Sequence, residues 1–136
     1  MTQNTAPDPA EIFHSAMAEA YDRRNARVRP ISACLHFLTD LVLTDIRDDA
    51  RVLSVGVGTG AEILFFAEAH PGWYFEGVDP SADMLGAAQV KLDEAGLADR
   101  CTLHQGRVED IDESEFDATL ALFVAHFVPR EERPAF

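Results

Sequence analysis

The chain has 136 residues, 47% of them hydrophobic and 26% charged, the make-up of one ordinary soluble globular domain with a core of its own. Its formal net charge of −13 disfavours a large nucleic-acid substrate, because such a surface repels phosphate backbones. No apolar run is long enough to span a bilayer, and the amino terminus lacks the basic and apolar regions of a secretion signal, so a cytoplasmic protein with no membrane partner is expected.

Residues 1–9, small, polar and proline-containing, read as a flexible tail. A helix is expected from Glu11 to Arg27, with Ile12, Phe13, Ala16, Ala20 and Tyr21 at helical spacing. Pro30 is expected to interrupt it before a second helix, Ile31 to Thr44, with Leu35, Leu38, Leu41 and Val42 on one face. Together they form a capping unit over residues 10–45, ahead of an α/β domain over 46–136. Arg23, Arg24, Arg27 and Arg29 read either as a solvated helix end or as a cap that holds an anionic ligand group. Cys34 and Cys101 lie far apart and read as reduced, buried thiols.

Asp48-Asp49 marks a turn, and Arg51 to Val55 reads as the first strand. Three glycines at alternate positions follow it: Gly56, Gly58 and Gly60. A helix then runs to about Ala69, ended by Pro71-Gly72. Trp73 to Val78 is the second strand, with Asp79 at its carboxyl end and Pro80-Ser81 opening a helix whose inner face is Met84, Leu85, Ala88 and Leu92. Gly96 stops that helix, and Cys101 to His104 is the third strand. Glu109 to Glu115 is an acidic loop. Phe116 to Val124 is nearly all apolar and suits a strand covered on both faces; Pro129 to Phe136 begins another helix. Trp73 and Phe65-Phe66 read as core packing, while Phe123 and Phe127 read as core or as walls of a substrate pocket.

Alternating strands and helices imply a parallel sheet with right-handed crossovers. A glycine turn after the first strand lets a ligand press on bare backbone, and the next helix offers unpaired N–H groups. A carboxylate about 20 residues on can accept from both hydroxyls of a ribose, so Asp79 fits a nucleoside ligand. Gly56, Gly58 and Ala61 loosely satisfy the nicotinamide dinucleotide pattern, but Gly60 makes the turn G-x-G-x-G instead.

With Val52 to Gly60, Gly77-Val78-Asp79-Pro80-Ser81, Gln105 to Asp110, and Phe116-Asp117-Ala118 leading to Leu122 through Phe127, the chain resembles the class I S-adenosylmethionine-dependent methyltransferases. The resemblance covers Arg51 to Val128 and carries four motifs in the family's order. It implies an α/β, Rossmann-like, mostly parallel sheet with helices on both faces, truncated relative to the family's seven strands. S-adenosyl-L-methionine would be the cofactor and a small molecule the methyl acceptor. Gly56, Val57, Gly58 and Gly60 would line the methionine and ribose end, with Ser54 before them. Asp79 would bind the ribose hydroxyls, beside Pro80, and Met84 would pack on the adenine. Backbone at Arg107 and Val108 would meet the adenine edge. Leu122 and Phe123 would lie beside the methyl-bearing sulfur. Tyr21 and an arginine between Arg24 and Arg29 would close over the methionine carboxylate. His126 is the candidate general base; His14, His36, His70 and His104 are scattered and suggest no metal site.

Two positions depart from the family. Ser54 and Arg107 stand where acidic residues are usual, and Glu62 or Asp110 are candidates to take over. The chain also ends after its fourth strand, which would leave an apolar edge; a missing carboxyl-terminal segment or a second copy is expected to cover it. Three alternatives remain. Phe123 to Arg133 is similar to the carboxy-S-adenosylmethionine synthases, though no arginine can be placed at the sulfonium. A non-catalytic binding or interaction module and a nicotinamide dehydrogenase are the others.

Overall fold

The structure, a computed structural model, describes residues 20, 21, 23–112 and 115–133, so the expected tail and most of the first expected helix lie outside it. Residues 20, 21 and 23–25 are helical, and a 3-10 turn, Ala26–Val28, leads directly into α1, Arg29–Val42. Pro30 does not break the helix as expected. It lies in the first turn of α1, where its missing N–H would have no helical partner anyway.

The sheet is built from β1, Arg51–Val55, β2, Tyr74–Asp79, β3, Cys101–Gln105, and β4, Ala118–Leu120. All neighbours run parallel, in the order β3-β2-β1-β4. The crossovers are α2, Ala61–Ala69, between β1 and β2, and α3, Ala82–Glu94, between β2 and β3. Two right-handed crossovers stepping in the same direction put both helices on one face. That face carries Val52, Phe75 and Leu120, packed with Ile63 and Phe66 of α2 and Leu85 and Leu92 of α3. The opposite face carries Leu53, Val55 and Val78, covered by Val108 in a short 3-10 helix, Val108–Asp110, and by Ile111, Phe116 and Val124.

Helix α3 starts where expected because the Ser81 hydroxyl accepts from the Met84 N–H, and its four predicted inner residues are all buried. Trp73, 2% exposed, stacks on His70 at 3.6 Å between ring centroids and donates its indole N–H to the Arg47 carbonyl. Asp40 of α1 bonds His70, and His36 of α1 sits 5.1 Å from the Phe65 ring; these contacts dock α1 on α2.

Four further expectations are corrected. The fourth strand keeps only three residues instead of nine: the Asp117 N–H donates to the Arg51 carbonyl, Val52 to Ser54 pair with Ala118 to Leu120, and then the chain leaves the ladder. Phe123 takes φ 59°, a left-handed conformation no strand allows, and the segment turns over the sheet's carboxyl edge. The expected final helix is, over 129–133, a single turn in which Glu132 and Arg133 donate to the Pro129 carbonyl. On α1 most of the expected apolar face points outward: Leu38, Leu41 and Val42 are all more than half exposed, while Leu35 is half-buried. Cys34 is likewise exposed rather than buried, and both cysteines are free thiols.

Candidate functional site

At the carboxyl edge of the sheet lies a cleft of about 1240 Å³. Its floor is the turn between β1 and α2. The Gly56 and Val57 N–H groups both donate to the Val78 carbonyl, at 2.8 and 3.2 Å, and this locks the turn against the end of β2. Gly56 takes φ 69°, and a Cβ there would run into Val124, which folds over from beyond β4. Glycine is therefore required twice over, for the positive φ and for the close approach. Gly60, at φ 84°, caps α2, and a Cβ on it would sit 3.2 Å from that of Ala88, so it sets the spacing between α2 and α3.

Asp79 closes the cleft from β2. One carboxylate oxygen accepts from the Gly58 N–H and the other from the Ser81 N–H, each at 2.9 Å. The side chain is thus held in one orientation, and two of about four acceptor positions remain for a ligand. Burial pushes the Asp79 pKa up, against these two bonds, which pull it down. Met84 and Pro80 form the adjoining wall, with Gly106, Arg107 and Val108 from the loop after β3. The Arg107 N–H donates to the Asp110 carboxylate at 2.8 Å, so Asp110 is engaged in its own turn and does not line the cleft. Leu122, Phe123 and Phe127 form the far wall; Phe123 is 52% and Phe127 37% exposed, which makes them wall residues and not core.

The cleft therefore brings together Tyr21, Gly56, Val57, Gly58, Asp79, Pro80, Met84, Arg107, Val108, Leu122 and Phe123 of the expected set. Ser54 and Gly60 stand behind the lining, Ser54 1% exposed. His126 is also outside the lining, its ring 4.0 Å from that of Phe127. Of the basic cluster, Arg29 lines the cleft, and Arg23, Arg24 and Arg27 do not.

Sequence reasoning finds Tyr21 and Arg29 on one wall but misses Asn25, Ser32 and His36 beside them. Tyr21, Asn25, Arg29, Ser32 and His36 all face the cleft, at spacings of four, four, three and four residues. They are one stripe of a helix, so the amphipathicity of this segment is reversed: polar toward the cleft, apolar toward solvent. A search for polar rather than apolar periodicity finds it. His36 is buried, and that burial lowers its pKa. Glu62, in the first turn of α2, accepts from the Ser54 hydroxyl at 2.9 Å, and burial raises its pKa to about 7. Among the described residues no cluster of His, Cys, Asp or Glu could hold a metal ion, and no helix is long and apolar enough to cross a membrane.

Comparison with known proteins bears on the family and the fold. The chain is 32% identical over 146 residues to a ubiquinone biosynthesis O-methyltransferase of Rhodopseudomonas palustris, covering 95% of this chain and 54% of that one. The chain spans about half the length, or less, of the curated relatives it matches first. A Methanococcus maripaludis protein superposes with a TM-score of 0.73 over 98% of this chain and 58% of that one; at 18% identity the likeness speaks for the fold alone. PKMT2 of Rickettsia typhi, solved in complex with AdoHcy, superposes with a TM-score of 0.56 at 30% identity over 63% of this chain and 17% of that one. Residues 52–136, more than half of the chain, match the family model described as the methyltransferase domain, and the chain belongs to that family.

Proposed function

We propose that the cleft binds S-adenosyl-L-methionine and that the protein transfers its methyl group to a small-molecule acceptor. The observation that carries this reading is the pairing of Asp79 with the glycine turn. A carboxylate pinned by two backbone N–H groups keeps acceptor positions toward the cleft, beside a turn that offers bare backbone. That is the acceptor set a ribose diol needs. Met84 and the Arg107-Val108 backbone stand where a flat, weakly polar base would lie next to such a ribose. The Rickettsia typhi relative, solved with AdoHcy, supports the same ligand.

The bound donor would supply a methyl group already activated on a sulfonium. What remains for the chain is to align and to exclude water. Asp79 would hold the ribose, and the Gly56 to Gly58 turn would line the methionine and ribose end. Phe123 and Phe127 form a wall at which an acceptor would meet the donor, and the turn that carries them is anchored to the floor through Val124. No proton transfer is assigned to His126, which stands outside the lining. The mixed polar and apolar wall suits a small molecule, and the negative surface disfavours nucleic acid.

Titration calorimetry with S-adenosylmethionine, S-adenosylhomocysteine and NAD tests the reading. The first two are expected to bind and NAD not. Asp79→Ala is expected to weaken S-adenosylhomocysteine at least about tenfold through loss of the diol acceptor. Failure of both adenosyl ligands to bind the folded chain would refute the proposal.

A further inference from the structure

Among the described residues, Glu62 is a carboxylate without a counter-ion. Its Oε1 accepts from the Ser54 hydroxyl at 2.9 Å, and no ion pair to it is seen among the described residues. The groups acting on it are its own desolvation and Ser54; no cation contributes. No deeply buried side-chain oxygen among the described residues lacks a hydrogen-bond partner. Since Oε2 has none among the described residues, it is not deeply buried, and Glu62 is a lining residue of the cleft. An ordinary first-turn acid points to water and answers the helix dipole. Glu62 instead is partly buried, and Ser54, itself inside the sheet, fixes its direction.

We propose that Glu62, oriented by Ser54, is the anion that receives the cationic amino group at the amino-acid end of the bound ligand. The proposal rests on the reading of the cleft as an S-adenosylmethionine site and names a residue for the end of the ligand remote from the ribose. A desolvated carboxylate facing a cavity is stabilised by a cation that enters it, and an ammonium offers three donors to meet Oε2 and neighbouring acceptors. Position agrees. Glu62 lies just beyond the glycines, in the first turn of α2, and lines the same cleft as Asp79 and the α1 wall. Arg29 on that wall is of opposite charge and suits the carboxylate of the same zwitterion. Ser54 is a positioning residue: it donates to Glu62 and does not itself line the cleft.

The test compares two probes that share adenosine and a thioether but differ in the amino-acid end. S-adenosylhomocysteine carries the ammonium; 5′-methylthioadenosine does not. In Glu62→Gln, which keeps size and hydrogen bonding, S-adenosylhomocysteine is expected to weaken at least about tenfold by calorimetry, and 5′-methylthioadenosine to change less than about twofold. Ser54→Ala is expected to shrink the same preference by a smaller factor, and Ser54→Thr to restore it. Thermal melts establish that each variant is folded. An unchanged preference for S-adenosylhomocysteine in Glu62→Gln, or equal weakening of both probes, overturns the proposal while leaving the wild-type site intact. Wild-type chain that binds neither probe overturns the underlying reading, and this assignment with it.

Discussion

Replacing Glu62 by Gln removes a group whose ionisation opposes folding. Burial raises its pKa from the ordinary 4.5 to about 7 in the folded chain. The folded state therefore holds this proton across an interval in which the unfolded chain has released it. A group with a raised folded pKa contributes its full stability below the unfolded value and loses it as pH rises through the folded one. A pKa that differs by one between folded and unfolded chain is worth about 1.4 kcal/mol, so the wild type should lose up to about 3 kcal/mol from this group between about pH 4.5 and pH 7. Gln mimics the protonated side chain at every pH. The two proteins should have similar stability at about pH 4, and Glu62→Gln should be more stable by about 3 kcal/mol at about pH 8. Urea unfolding followed by the fluorescence of Trp73, the one tryptophan and 2% exposed, reads the difference directly. Asp79 and His36 titrate in both proteins and cancel in the comparison. A gap independent of pH would refute the reasoning, because it would place Glu62 in water.

Gly56→Ala should lose stability by about 1–3 kcal/mol from the left-handed backbone and, because its Cβ meets Val124, should also weaken S-adenosylhomocysteine binding. Gly96→Ala is the control: φ is 70° but nothing lies within 4 Å, so stability should fall with binding untouched, as calorimetry and urea titration would record. Phe66→Ala should cost about 3–5 kcal/mol by urea unfolding, since the ring is 0% exposed and packs against Phe65, His36 and Trp73. α1 exposes Ile31, Phe37, Leu38, Leu41 and Val42, so sedimentation at micromolar concentration should find dimers or larger species; a monodisperse monomer would count against an association through this face.

What is legible in the sequence follows from how local each signal is. β1 can be read to the residue because Arg51 to Val55 is a largely apolar run stopped by glycines that must take positive φ. The inner face of α3 is legible because one helix packs on one sheet face, and 3.6-residue spacing records that. The fourth strand is over-read for the same reason. Apolar residues from Leu120 to Val124 look like strand, yet part of that apolarity serves the cleft wall and the contact of Val124 with Gly56. Apolar composition does not say whether a side chain meets a sheet, a ligand or a turn. The α1 wall is invisible to a search for apolar stripes, since its cleft-facing stripe is polar. Glu62 stands out as a substitute acid, but its bond to Ser54 crosses from helix to strand, a tertiary relation that spacing alone does not encode. Asp110, the other candidate, is instead occupied by the Arg107 N–H.

A crystal structure of the chain with S-adenosylhomocysteine bound addresses the central claim most directly. The account predicts both ribose hydroxyls within hydrogen-bond reach of the Asp79 carboxylate, the base beside Met84, and the amino-acid end running over the Gly56 to Gly58 turn. Adenosine seated away from Asp79, or a glycine turn closed over with no room for the ligand, would contradict it.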